Sequence, residues 1–392
     1  MMTRIKFISL FAIIVGVAYS SARLGANPPE RLKLVFAREF NQRSVEGEQI
    51  QELAGDVHFQ QGNAHLYCQK AIYYRSRERL LLEKRVKIDD GTKILLADFV
   101  TYDGRLKYEE ARGHVKIIDS VQTLNADKVI FYEIEDKAIA DQNVKITDTA
   151  NSVILTGGHA EYFRSIDSIH VTIDPVMTKL DSSGKLDIRI TGKAMTLIEN
   201  GARALVKENV RINKDSTEAH CGEAEYIREL NKFILRDQPH VWQKRQELFG
   251  DTIEIYIKDQ FLEQVHVSGN ANIISDVDSL ILPHRKDRLS GQRMEIFSPE
   301  NEIEKIIIEN QATSWYHVVE DGSYKGLNKV IGDKLSLFIA GNEIKRILIE
   351  SNPSVSSGIF YPPGHEKYPE DEKGTKAAPE SGRRPPSREK ES

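Results

Sequence analysis

The chain has 392 residues, 40% of them apolar, and sets 54 Lys and Arg against 59 Asp and Glu for a net charge of −5. A nearly balanced charge of this kind produces no global field that would draw in nucleic acid. The length would suggest two or three domains, but that expectation fails where a chain is built from repeats.

The N-terminus reads as an address. Arg4 and Lys6 precede the apolar run Phe7 to Tyr19, and the small residues Ser20 to Ala22 follow. This order predicts a secretory signal peptide over residues 1–22. The run is shorter than the about 20 residues a spanning helix needs, and an uncleaved membrane anchor is the alternative. No Cys stands near Ala22, so a lipoprotein cleavage site is not expected. Residues 23–50 read as an N-terminal extension.

From residue 51 to residue 360 the texture is uniform and all-β. Apolar and polar residues alternate in "VHF", "VKI", "VRI" and "IEIYI", the period of a half-buried strand, and Gly, Asn and Asp punctuate at short intervals. One phrase returns: Val57, Val86, Val115 and Val144 lie 29 residues apart, each followed two positions on by Phe59, Ile88, Ile117 and Ile146. It continues at Val176, Val210 with Ile212, Val241, Ala271 and Ala312 with lengthening intervals, which predicts loop insertions in the later repeats. A second phrase keeps step with it, in "LADFVTY" from Leu96, "NADKVIFY" from Asn125, "GHAEYF" from Gly158 and "GEAEYI" from Gly222. A third is clearest late in the chain, in "FLEQVHVSGNA" from Phe261 and "EIKRILIESNP" from Glu343. The predicted repeat is strand, turn, strand, turn, strand, in about ten copies, with a domain division near 150–180 as one option.

A unit of this size cannot bury its own apolar face, whereas a stack makes one continuous core. The predicted fold is an elongated, antiparallel two-sheet solenoid of repeats with an apolar interior groove, reaching roughly 100 Å at the usual strand spacing. Cys68 and Cys221 are the only cysteines and lie about five repeats apart, so they are not expected to pair. The tail, residues 361–392, is charged, rich in Pro and poor in aliphatic residues, and reads as disordered.

The phrases "GHVKII", "QNVKIT" and "ENVRIN" resemble the G-N-V-x-I signature, and "LNADKVIFY" and "GHAEYF" the A-D-x-x-x-Y and G-x-A-x-x-Y signatures, of the OstA-like family, which includes the LptA, LptC and LptD N-terminal type of periplasmic lipopolysaccharide transport proteins. The resemblance covers nearly all of residues 52–360. It implies a β-jellyroll whose interior shields acyl chains from water, a periplasmic location, and a role in outer-membrane biogenesis linking inner- and outer-membrane components. The chain departs from the short bridge protein of that family in having roughly twice its repeats.

Lipid carriage would require a continuous apolar lining, because each exposed CH₂ costs about 0.8 kcal/mol in water. The groove candidates are Val57, Phe59, Val86, Ile88, Val115, Ile117, Val144, Ile146, Val210 and Ile212. They equally suit a closed β core. Between them stand Lys87, Lys116, Lys145 and Arg211, head-group candidates by alternation, or a solvated charged face. Open ends invite head-to-tail strand pairing by other jellyroll proteins or by further copies of the chain, through Leu53 to Phe59 and Ile344 to Ile349; protected edges are the alternative. No nucleic acid is expected as a partner.

Catalysis is not expected. The eleven histidines form no metal-ligand spacing, no nucleophile elbow, phosphate loop or dinucleotide fingerprint is present, and no cofactor or metal is called for. A structural or adhesive β-solenoid that binds proteins, and a polysaccharide-active solenoid enzyme, are the other classes that the pattern admits.

Overall fold

The computed structural model describes residues 32–367, apart from 200, 259–260, 278–281, 283–284, 300–301, 321, 342 and 353. The signal-peptide reading and nearly all of the predicted tail fall outside these residues. Within them the protein is almost entirely antiparallel β, with one short 3₁₀ turn at Arg164–Ile166 and no helix long and apolar enough to cross a membrane. Two compact units divide between Val206 and Lys207.

Unit 1 is built on a meander in which each strand pairs with the next: β3 (Glu48–Gln61), β4 (Ala64–Tyr74), β5 (Arg79–Asp89), β6 (Ile94–Asp103), β7 (Tyr108–Ile118), β8 (Gln122–Tyr132), β9 (Lys137–Asp148) and β10 (Val153–Phe163). The repeat of 29 residues is therefore one hairpin of two long strands, not three short ones. Ahead of it, β1 (Lys33–Phe36) and β2 (Glu39–Val45) both pair with β3. The paired strands thus begin before residue 51, because Lys33 to Val45 alternates too weakly to announce itself in a sequence.

Every second strand is broken by a corner. Gly55–Asp56, Lys84–Arg85, Gly113–His114 and Gln142–Asn143 all have positive φ, and the cross-strand register slips at each. Two consecutive left-handed residues turn a strand sharply, so each strand becomes a near leg before the corner and a far leg after it. On β5 the inward side chains are Leu80 and Leu82 on the near leg, Val86 and Ile88 on the far leg, and all four are buried. Folding the legs towards each other buries both inward rows, the only way a ribbon this thin can make a core.

The corner explains the signature. The residue before the repeat Val is held by a side chain of the neighbouring strand: His114 Nδ1 lies 2.9 Å from Asp98 Oδ2, and Asn143 Nδ2 donates to Asp127 Oδ2 at 2.7 Å. Asp98 and Asp127 are the aspartates of the second phrase, so the two phrases are two halves of one latch. Gly113 has φ +76°, and a Cβ there would sit 2.4 Å from Asp98 Oδ2.

Past β10 two of the corners are followed by a proline. The sequence Ile173–Asp174 turns left-handed, Pro175 takes the place of the repeat Val, and Met177 stands opposite Leu155. Val176 therefore lies opposite Thr156 on the outward face, one residue off the expected register. Pro239 shifts Val241 in the same way, after the corner at Asp237–Gln238.

Unit 2 repeats the design with corners at Gly269–Asn270 in β21 (Phe261–Asp276) and Asn310–Gln311 in β23 (Lys305–Glu320). The longer late repeats place much of their added length in the strands themselves, with 16 residues in β23 and 18 in β24 (Ser323–Ala340), rather than in loops alone. At its C-terminal end β24 pairs with both β25 (Glu343–Glu350) and β26 (Ser357–Tyr361). Cys68 and Cys221 are buried and free.

Candidate functional site

The alternation of each far leg sends one row of side chains inward. Val57, Phe59, Val86, Ile88, Val115, Ile117, Val144, Ile146 and Val210 are all buried, with Ile117 at 0% exposure, while Ile212 is only half-buried. The strand pairing sets these side chains beside those of the intervening strands: Ile117 stands opposite Leu95 on one side and Leu124 on the other, and Val115 opposite Ala126. The nearest-neighbour rows of near and far legs together give unit 1 an apolar interior running from strand to strand.

The near-leg wall of that interior holds a carboxyl group. Glu109 occupies the column filled by Leu80 on β5 and Ala138 on β9, is 7% exposed, and faces Tyr102 and Phe131 across the sheet. Burial, reinforced by the negative charge of Glu133, pushes its pKa well above the ordinary carboxylate value. The uncharged form of Glu109 is thus favoured over what an exposed carboxyl group would show.

Polar groups collect at the turns that end the far legs. Asp90 and Asp119 occupy matching places in successive repeats, and the Oδ1 of each accepts backbone N–H bonds from the two or three residues that follow: Thr92 and Lys93, Val121 and Gln122. These Asx turns carry Lys93 and Gln122 into buried positions. Burial lowers the Lys93 pKa to about 8, against the favourable charges of Asp90 and Asp119 and with a smaller unfavourable effect of Arg164. Gln122 Nε2 donates to Asp148 Oδ2 at 3.4 Å, and Asp148 is likewise buried. Unit 1 therefore pairs an apolar interior with a buried polar margin. Reading the sequence by its Val phrase misses Glu109, Lys93, Gln122 and Asp148; superposing "YEEARGHV" on "RLLLEKRV" and "KAIADQNV" would have picked out Glu109 as the one acid in an apolar column.

The head-group candidates lie on the other face of the same strands. Lys116, Lys145 and Arg211 are exposed, and Lys87 is half-buried, 3.0 Å from Asp89 and 6.0 Å from the centre of the Tyr67 ring. The sheet stands between them and the inward row. The two edges named in the sequence differ from each other: Leu53 to Phe59 lies within β3, which β1 and β2 cover, whereas Ile344 to Ile349 lies in β25, whose only partner among the described residues is β24. Among the described residues the open N-terminal edge is instead β1 and β2, where Phe36 is 52% and Phe40 55% exposed. Among the described residues no three His, Cys, Asp or Glu side chains are grouped to hold a metal ion.

Residues 31–174 match the family model described as OstA-like protein. No curated protein matches the chain. Solved structures that match include LptH from Pseudomonas aeruginosa, described as the LptA-homologous periplasmic component of its lipopolysaccharide transport device, at 15% identity over 37% of this chain and 95% of that one, with a TM-score of 0.29.

Proposed function

Taking the OstA-like character of residues 31–174 as the premise, we propose that the protein is a periplasmic carrier that shields the acyl chains of lipopolysaccharide, or of a related lipid, inside its repeat interior and links transport components of the inner and outer membranes. The observation that carries this reading is the unbroken inward Val and Ile row, renewed every 29 residues from Val57 to Ile146 and lined up by strand pairing. Acyl chains need a lining that continues from rung to rung, and a stacked repeat supplies one without limit. The margin of Lys93, Gln122 and Asp148 suits the boundary between buried chains and a hydrated head. The signal-peptide pattern of residues 1–22 supports the periplasmic location, with an uncleaved anchor as the other arrangement. Links to neighbouring jellyroll proteins would form at β1 and β2 on one side and at β25 and β26 on the other.

The near-complete burial of the same row favours a second reading, a closed structural β-scaffold that binds proteins. Site-specific photocrosslinking separates the two. A photoreactive residue at Ile117, with Lys116 as the outward control, is expected to give an adduct with radiolabelled lipopolysaccharide at Ile117 alone. Absence of an adduct at Phe59, Ile88, Ile117 and Ile146, in protein shown to be folded and exported, would establish the scaffold.

A further inference from the structure

The two legs of unit 1 treat outward charge differently. On the near leg most outward cations are matched, Lys70 with Glu83 at 3.3 Å, Arg112 and Lys128 with Glu110, and Lys137 with Glu161 at 2.7 Å, with Arg79 the exception. On the far leg Lys116 and Lys145 have no carboxylate partner among the described residues, and Lys87 has only Asp89. The corner carboxylates beside them, Asp98 and Asp127, are engaged by His114 and Asn143.

Strand pairing places these lysines in a single file. Tyr67, Lys87, Leu96, Lys116, Asn125 and Lys145 stand opposite one another in that order across successive strands. A cation thus recurs every second strand, at roughly 10 Å. The adjoining outward row holds Asp89, which pairs with Lys87, then Ile94, Ile118, Thr123 and Thr147, and adds no cation over this stretch. At one end of the file Arg85, Lys87, Asp98 and His114 border a surface cleft with Leu96, and Tyr67 beside Lys87 is 39% exposed and stacks on His58 at 4.5 Å between ring centres.

We infer that the outward face of these far legs is a docking strip for a linear acidic polysaccharide, with Lys87, Lys116 and Lys145 meeting successive anionic groups. The strip is one lysine wide, so it fits a chain and not a plane; an anionic membrane would engage a broad basic surface. Its wide, regular spacing suits a polymer with one charge per disaccharide better than a densely charged polyphosphate. The reading is independent of lipid carriage, because the strip and the interior lie on opposite faces of the sheet.

The test uses the full chain and hyaluronan oligosaccharides of defined length, with dextran as the neutral counterpart and phosphatidylglycerol vesicles as the planar one, by calorimetry at low ionic strength. Hyaluronan is expected to bind, to weaken with added salt, and to bind about tenfold more weakly to the triple variant Lys87→Gln, Lys116→Gln, Lys145→Gln, as befits the loss of three exposed charge contacts. The matched-leg variant Lys70→Gln, Lys128→Gln, Lys137→Gln is expected to bind as the parent does. Equal loss from both triples, equal binding of dextran, or binding confined to vesicles would overturn the inference. None of these outcomes bears on the Ile117 crosslink.

Discussion

At the scale of single residues, the decisive positions are those where the repeat tolerates only one solution. Gly113 combines φ +76° with a neighbour, Asp98, that leaves no room for a Cβ. Gly113→Ala is therefore expected to destabilise unit 1 by about 2 kcal/mol, from left-handed strain plus displacement of the aspartate, with a matching fall in Tm by calorimetry. Lys84 holds the same place on β5 with φ +62°, and Lys84→Gly is expected to raise stability by up to about 1 kcal/mol, because glycine adopts that conformation without strain. Glu109 makes the opposite kind of demand. Its folded pKa lies above its unfolded one, so its contribution is fully present below the unfolded value, near 4.3, and is lost as pH rises through the folded value. Replacing it with Leu removes that loss. Glu109→Leu is expected to raise Tm at pH 8 and to leave it nearly unchanged at pH 4, which calorimetry at the two pH values would check; equal shifts at both would show that packing, not ionisation, sets the effect.

At the scale of the element, each 29-residue hairpin is a bent ribbon with an apolar inside and a charged outside, and its two faces predict different costs. Ile117→Ala, on the inward row at 0% exposure, is expected to cost about 3 kcal/mol, whereas Lys116→Gln, one residue away, should change stability by less than about 0.5 kcal/mol. The inward row was legible in the sequence because strand alternation and the fixed repeat both write to the same positions, Val115 and Ile117 among them. The corners were not. The same left-handed pair is spelled Gly-Asp, Lys-Arg, Gly-His and Gln-Asn, since its demand falls on the backbone and, at Gly-His and Gln-Asn, on a partner aspartate in another strand, and single-sequence alternation sees neither. Reading the corner as a turn between strands turned two long strands into three short ones. Proline then hid the register at Val176 and Val241, because the eye follows Val while the geometry follows the first residue after the corner. Glu109 escaped for a related cause: a carboxylate in a strand ordinarily marks an outward position, and only the column it shares with Leu80 and Ala138 says otherwise.

At the scale of the whole molecule, the two ends of the chain pose the question of assembly. The N-terminal edge presents β1 and β2 with Leu34, Phe36 and Phe40 exposed, and the C-terminal edge presents β25 and β26 with Ile349, Ile359 and Phe360 exposed. Unpaired strands that also expose apolar side chains are templates for strand addition. The two edges are different surfaces, so pairing one with the other is heterologous and, if unblocked, continues from copy to copy. Phe36→Lys with Phe40→Lys blocks the first edge, and Ile349→Lys with Ile359→Lys blocks the second. Sedimentation of the parent chain is expected to show growth with concentration, and each blocked variant alone should remain a monomer. An equimolar mixture of the two variants should give a dimer and nothing larger, because each retains one competent edge and the surviving edges are complementary. Dimers from either variant alone would mean that an edge pairs with its own kind. Monomers throughout, the parent included, would mean that these edges are reserved for partners of another sequence, and the same two variants would then locate which edge each partner uses.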